Sequence, residues 1–273
     1  MVNLLFYIIL LLLIGLLVGF IGAMLGVGGG FILVPLLTFL FDFETHYAIG
    51  TSLATIAFTG SSSTLAYSRQ RRLDWKLGLL VEVAAMPGAL IGSFLTSLFS
   101  SKQLKIFLAL LLISLSLSIL ARKEAFKPRR ATRSNEAFLW KRVITDFRGG
   151  KFEYEINVLR LLPLGLLAGI ASGFFGIGGG VITVPLLYHM GTPIHIAIAT
   201  STLIVMLTSL SGAVGHAILG HVSLLELMGI VPGVLIGTQI GALTARKIKS
   251  EALKRIFAFV LIIMAILLLI KSD

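Results

Sequence analysis

The chain has no cysteine. Disulfides, thiolate metal sites and thiol catalysis are therefore excluded, and cysteine usage says nothing about redox compartment. Charge is scarce as well: only 13% of the 273 residues are Asp, Glu, Lys or Arg, and no lysine or arginine precedes Arg69. The apolar N-terminal run thus lacks the basic start of a cleavable signal peptide and reads as part of the mature protein. Catalytic signatures are missing too. There is no His-Glu-x-x-His, no Gly-x-Ser-x-Gly and no pair of aspartates inside an apolar segment, so no hydrolase set is visible and an enzyme is not expected. The glycine-rich stretches lack the Lys-Ser/Thr of a phosphate-binding loop, and Phe31 and Val181 stand where a dinucleotide fingerprint places its last glycine. No nucleotide, metal or other cofactor is expected.

What the chain has is apolar sequence. Hydrophobic residues make up 57% of it and the mean hydropathy is +1.01, which indicates an all-α polytopic membrane protein rather than a soluble globule. A bilayer core of about 30 Å takes roughly 20 apolar residues in a helix. Apolar segments run over about 4–40, 46–67, 74–98, 102–121, 159–188, 194–219, 222–245 and 251–270. The formal charge is +11, and eleven of the 23 basic residues lie between 122 and 160, against five acids. A basic loop between apolar segments is the ordinary cytoplasmic signature of a membrane protein, so nucleic acid is not the expected partner. Within this loop Phe138, Leu139, Trp140, Val143, Ile144 and Phe147 recur at roughly helical spacing; the expectation is a short helix lying on the anionic inner leaflet.

The chain is also duplicated. GVGGGFILVPLL from Gly26 returns as GIGGGVITVPLL from Gly176, HYAIGTS from His46 matches HIAIATS from His195, and MPGALIG from Met86 matches VPGVLIG from Val231. The domain expectation is a first transmembrane repeat over 1–121, a basic linker over 122–158 and a second repeat over 159–273. Each repeat would hold four segments, the first broken by glycine. Three successive glycines cost a helix about 1 kcal/mol each relative to alanine, and residues 4–40 would span about 55 Å if helical, too long for one crossing. If each glycine-broken element returns to the side it started from, 20 of the 23 basic residues fall on the linker side. That split satisfies the positive-inside rule, inverts one repeat relative to the other and puts both termini outside.

A half-helix starting after Gly30 or Gly180 presents open amides and a positive dipole end, which suit an anion, and consecutive glycine amides can form an anion-holding nest. The same glycines, with Gly15, Gly19 and Gly22 and with Gly165, Gly169 and Gly173 at small-xxx-small spacing, would also let helices pack closely. After each break comes a polar stripe: Ser52, Thr59 and Ser63, matched by Ser201, Thr208 and Gly212. Hydroxyls there could donate to an oxyanion or satisfy their own helix. His46 and His195 start matching segments, where helix capping or solvation is the plainer role. Glu82, Glu226 and His216 are the ionisable residues well inside apolar segments, and an intramembrane carboxylate is a candidate for proton or cation coupling.

Two copies of Gly-x-Gly-Gly-Gly-x-x-x-x-Pro-Leu-Leu, each followed by His-x-Ala-Ile-x-Thr-Ser and Pro-Gly-x-Leu-Ile-Gly, resemble the TauE/SafE family of sulfite-exporter-like permeases, and the resemblance covers both halves. It implies a secondary transporter in the plasma membrane, the prokaryotic inner membrane, that moves sulfite, a sulfonate or a related small anion, with export as the expected direction. Carried over position by position, it implies substrate contacts at Gly28, Gly29, Gly30, Thr51 and Ser52 and at Gly178, Gly179, Gly180, Thr200 and Ser201. The polar stripe adds Thr59 and Thr208. The expected partners are the small anion and the lipid bilayer, with a homo-oligomer left open. A carrier or channel for another small organic anion, and a membrane-embedded enzyme or assembly scaffold, are the alternatives.

Overall fold

The computed structural model describes residues 2–120, 138–245, 247, 248 and 250–270; six of the linker's basic residues, from Arg122 to Arg133, lie outside the described residues. The chain is predominantly helical. In order it forms α1 (Val2–Leu25), α2 (Gly30–Leu40), α3 (Thr45–Arg69), α4 (Trp75–Thr96), α5 (Ser101–Leu120), a hairpin of β1 (Leu139–Thr145) and β2 (Lys151–Asn157), then α6 (Val158–Phe175), α7 (Gly180–His189), α8 (Ile194–Ile218), α9 (Leu224–Ala245) and α10 (Ser250–Ile270). Both long apolar runs break at their glycines, between α1 and α2 and between α6 and α7.

Among the described residues seven helices are long and apolar enough to cross a membrane: α1, α4, α5, α6, α8, α9 and α10. The eighth expected segment, 46–67, forms α3, which is 25 residues long but too polar to qualify by hydropathy. Its place in the fold explains this. It packs on α2, α8 and α9, so its buried hydroxyls meet protein rather than lipid.

The spaced glycines are packing seams. Gly15 and Gly19 of α1 abut the backbone of Ile230 and Val234 on α9, while Gly169 and Gly173 of α6 abut Ala85 and Ala89 on α4. A β-carbon at any of them would overlap main-chain atoms, so these helices approach as closely as small-residue interfaces permit. The central pair is α3 with α8, and α5 packs on α10.

The bundle has two faces. On one, the Tyr7 ring near the start of α1 meets Phe41 just after α2 at 5.2 Å, and the Tyr7 hydroxyl donates to Glu226 of α9 at 2.7 Å. His46 of α3 donates from Nε2 to the carbonyls of Thr96 and Phe99 at the end of α4, the capping role expected of it, and stacks near His221. The α1–α2 unit therefore begins and ends on the same face. On the other face sit the end of α3, the start of α4 and the hairpin.

That hairpin replaces the expected surface helix. Helical spacing is present in residues 138–147, but so is a period of two, and Val143, Ile144 and Thr145 favour strand. Trp140, Arg142 and Ile144 turn inward, Lys141, Val143 and Thr145 outward, and β2 alternates likewise with Tyr154 and Ile156 buried. The strands pair antiparallel, Arg142 opposite Tyr154. The turn is held by Asp146, whose Oδ1 accepts from the amides of Arg148 and Gly150. An inward-facing arginine disguised the alternation. It faces inward because its partner, Asp74, is fully buried at the start of α4.

Candidate functional site

The two glycine breaks lie against each other at the centre of the bundle. A β-carbon on Gly30 would fall 2.2 Å from the Gly176 carbonyl oxygen, and one on Gly180 would fall 2.4 Å from the Val27 α-carbon. Ile56 of α3 and Val205 of α8 fill the space around Gly28, Gly30, Gly178 and Gly180. At the heart of each break the chain takes left-handed conformations, with Gly29 at φ 92° and Gly179 at φ 72° as the N-caps of α2 and α7, which glycine adopts without steric cost. Helix geometry leaves the first amides of α2 and α7 without intrahelical acceptors.

The paired Thr-Ser segments brace this junction. Ser52 Oγ donates to the Gly176 carbonyl at 2.8 Å, and Ser201 Oγ donates to the Gly26 carbonyl, so each serine crosses to the opposite break. The threonines bracket helix starts instead. Thr200 Oγ1 accepts from the Asp74 amide at 3.0 Å, and Thr51 Oγ1 accepts from the Ser223 amide at 2.9 Å. Thr59 Oγ1 turns back to its own helix, donating to the Thr55 carbonyl at 3.3 Å. Of the twelve residues expected at the site, then, all six with a hydroxyl make side-chain hydrogen bonds within the protein: Thr51, Ser52, Thr59, Thr200, Ser201 and Thr208.

The surroundings of the two breaks differ. At the first, a β-carbon on Gly29 would meet Val18 at 2.6 Å. At the second, the position above Gly179 has ordinary clearance: 3.6 Å to Ser172 Cβ, 3.7 Å to Ser172 Oγ and 3.7 Å to Thr208 Cγ2. A β-carbon on Gly178 would lie 2.9 Å from Ser209 Oγ. Ser172 and Ser209 are fully buried, and neither hydroxyl has a hydrogen-bond partner; the same holds for Thr183 Oγ1 on the first turn of α7. Thr208 Oγ1 donates to Glu82 Oε1 on α4 at 2.5 Å. Buried polar groups are ordinarily satisfied; among the described residues the buried hydroxyls without a partner are Ser63, Ser172, Thr183, Thr192 and Ser209, and three of the five lie by the start of α7. An oxyanion fits the donor chemistry of hydroxyls and amides.

Ser172, Thr183 and Ser209 were not picked out from the sequence. Their counterparts in the first copy are Gly22, Leu33 and Gly60, so the signal that would have found them is where the copies disagree, not where they match.

A polar latch closes the hairpin face. Arg142 grips Asp74 with two bonds of 2.7 Å, Tyr154 adds a third at 2.6 Å, and the Leu77 amide is capped by the same carboxylate. Burial opposes ionisation of Asp74, but the bonds from Arg142, Tyr154 and Leu77 outweigh it and hold the carboxyl below its ordinary value. Burial and the Asp74 contact push the Tyr154 phenol up. Arg72 pairs with Asp146 at 3.1 Å. Beside the latch a cavity of about 300 Å³ is lined by Ala66, Arg69, Gln70, Phe147, Gln239 and Leu243.

Comparison with known proteins agrees with this architecture. Residues 11–268 match the family model described as Sulfite exporter TauE/SafE. The chain is 34% identical over 263 residues to the probable membrane transporter protein YunE of Bacillus subtilis, covering 93% of this chain and 94% of that one. It is 31% identical over 242 residues to YdhB of the same organism, with 86% and 87% covered, and 28% identical over 285 residues to a probable membrane transporter protein of Haemophilus influenzae, with 97% and 99% covered. No solved structure matches. With a family match across nearly the whole chain and relatives of the same length named as membrane transporters, the chain belongs to the sulfite exporter TauE/SafE family.

Proposed function

We propose that the protein is a secondary transporter that exports sulfite, a sulfonate or a related small anion across the prokaryotic plasma membrane, and that it holds the anion at the second glycine break. The observation that carries this reading is the set of unpartnered buried hydroxyls of Ser172, Ser209 and Thr183 around the N-terminus of α7. Gly178, Gly179 and Gly180 supply amides, Gly179 alone of the three has ordinary clearance above it, and Thr208 lies beside it. In this reading Gly28, Gly29, Gly30, Thr51, Ser52, Thr59, Thr200 and Ser201 shape and brace the junction rather than contact substrate. The cavity beside Arg69 is the approach from the linker side, where a positive charge draws anions in.

The repeats over 1–121 and 159–273 are inverted in this reading, with the 122–158 linker cytoplasmic and both termini outside. Supporting it, α1 packs on α9 while α6 packs on α4, each broken element seated against the fourth helix of the other repeat. The Tyr7–Phe41 contact returns the first broken element to its own side. Reporter fusions at Asp273 and near Arg133 should report opposite compartments; two cytoplasmic signals would sink the inversion.

The test of function is a binding and flux screen of sulfite, sulfate, thiosulfate, taurine and sulfoacetate on purified, reconstituted protein. Saturable flux of at least one of these anions is the expected result. Failure of all five to bind or cross would remove the anion reading.

A further inference from the structure

We propose that Glu82 is a proton site linked to the anion site, so that binding of the anion and protonation of this carboxylate favour each other. The inference rests on the anion reading above and adds to it the partner ion. Glu82 is only 3% exposed and lies seven residues into α4, roughly 10 Å along the helix. Its Oε1 accepts from Thr208 at 2.5 Å, and its Oε2 is buried without a hydrogen-bond partner. Thr208 is also the residue whose methyl group lies 3.7 Å from the β-position of Gly179. One side chain therefore separates the carboxylate from the second break.

Among the described residues nothing of opposite charge pairs with Glu82. The titratable and charged groups on α4 itself and on the elements packed around it lie towards the ends of those elements. Asp74 and Lys76 are at the start of α4, and the hairpin's Arg142 and Tyr154 are occupied with Asp74. Arg160 is in the first turn of α6. On α8, His195 is at the start, and His216, eight residues beyond Thr208 or roughly 12 Å, is bonded to the Gly173 carbonyl through Nε2. An uncompensated charge buried in a membrane-spanning bundle is costly and marks function by default.

A proton fits the site better than a metal ion. Among the described residues no group of three or more His, Asp or Glu could hold a metal, whereas a proton needs one oxygen with a free lone pair, and Oε2 supplies it. The step balances simply: a proton from solution forms an O–H bond at Glu82, the carboxylate loses its charge, and the anion beside Thr208 loses a repelling neighbour. Ionised, the same carboxylate holds the Thr208 hydroxyl and repels the anion. By linkage, whatever the anion gains from protonation the proton gains from the anion.

Proton uptake on sulfite binding, measured with a pH dye in weakly buffered detergent solution, tests this on the full chain. Sulfite's own titration contributes equally to every variant, so the comparison isolates the side chain. Between the pH at which Glu82 titrates in the free protein and the higher pH at which it titrates with sulfite bound, the unaltered protein should take up about one proton more per bound sulfite than Glu82→Gln, and its affinity should fall with rising pH by up to about tenfold per unit more steeply. Glu82→Asp should retain the uptake. A second readout needs no variant to fold: the infrared difference spectrum of the unaltered protein should gain a carboxylic-acid carbonyl band when sulfite binds. Equal proton counts in the unaltered and Glu82→Gln proteins, or absence of that band on binding, overturns the proton site and leaves the anion site standing. Absence of sulfite binding to the unaltered protein overturns the anion reading and this linkage with it.

Discussion

The two glycine breaks have nearly the same sequence and meet at the same place, yet their surroundings are opposite in kind. At the first, Val18 leaves no room for a side chain on Gly29, whereas at the second a β-carbon on Gly179 would make only ordinary contacts, beside the unpartnered hydroxyls of Ser172 and Ser209. The repeated residues hold the junction together, with Ser52 and Ser201 each bonded to the opposite break. In the reading proposed above, the residues that differ between the copies, Ser172, Thr183 and Ser209, give the second break its anion chemistry.

The largest effect should come from substitutions that both breaks forbid equally. Gly30→Ala and Gly180→Ala each drive a methyl group into main-chain atoms of the opposite break, which neither side-chain rotation nor a small shift relieves. Either should cost about 4 kcal/mol or more and abolish recovery of monodisperse protein. Normal yield and melting temperature in both would mean that the breaks do not touch, and the comparison would lose its geometric basis.

A somewhat smaller effect separates the two bracketed helix starts. Thr200 receives an amide from Asp74, which is locked by Arg142, whereas Thr51 receives one from Ser223, whose hydroxyl donates to Glu226. Arg142→Met leaves a buried carboxylate without its cation, so stability at neutral pH should fall by about 3 kcal/mol. The sign with pH follows from the depressed Asp74 carboxyl. Its contribution is fully present above the unfolded value of about 3.9 and is lost as pH falls through the still lower folded value. The gap between Arg142→Met and the unaltered protein should therefore be constant from pH 8 to about 5 and shrink only in stronger acid. Melting curves across that range check it; a gap that widens on acidification contradicts the latch.

Next comes the direct contrast. Gly29→Ala combines a left-handed backbone, costing about 1–2 kcal/mol, with a collision against Val18 that adds about 1–3 kcal/mol. Gly179→Ala bears the backbone cost alone, because its methyl group has ordinary contacts. The first variant should lose stability with little change in sulfite affinity where it folds. The second should stay folded and bind sulfite about tenfold more weakly, roughly 1.4 kcal/mol, since the methyl group enters the anion's volume. Equal affinity losses in the two would erase the distinction between the breaks.

The sequence made the large features legible because they rest on composition and period. The helical runs, their breaks at Gly26–Gly30 and Gly176–Gly180, and the packing role of glycines such as Gly15 and Gly169 all follow from local rules about apolar length and missing side chains. What it concealed was pairing across the bundle. Ser52 and Ser201 look free to meet a ligand until the fold brings Gly176 and Gly26 opposite them. The hairpin was hidden because Arg142, a charge, occupies an inward position that only buried Asp74 explains. Segment 46–67 is hydroxyl-rich because it is a central helix, which no local pattern reveals.

The smallest effect is the most discriminating one. Thr59 and Thr208 are counterparts on equivalent helices, and the stripe they belong to is the same in both copies up to Ser63 and Gly212. Thr59 returns its hydrogen bond to the Thr55 carbonyl of its own helix, whereas the hydroxyl of Ser209, next to Thr208, is buried with no partner at all. Thr59→Val keeps shape and removes a bond that the helix does not need, so sulfite affinity should be unchanged. Ser209→Ala removes a donor reserved for the anion, so affinity should fall by about 1 kcal/mol, or about fivefold, while the protein melts no lower, because an orphaned hydroxyl contributes nothing to the folded state on its own. Measuring affinity and melting temperature on the same two preparations decides the matter: a fivefold loss from Thr59→Val with none from Ser209→Ala would move the anion to the first break and reverse the assignment.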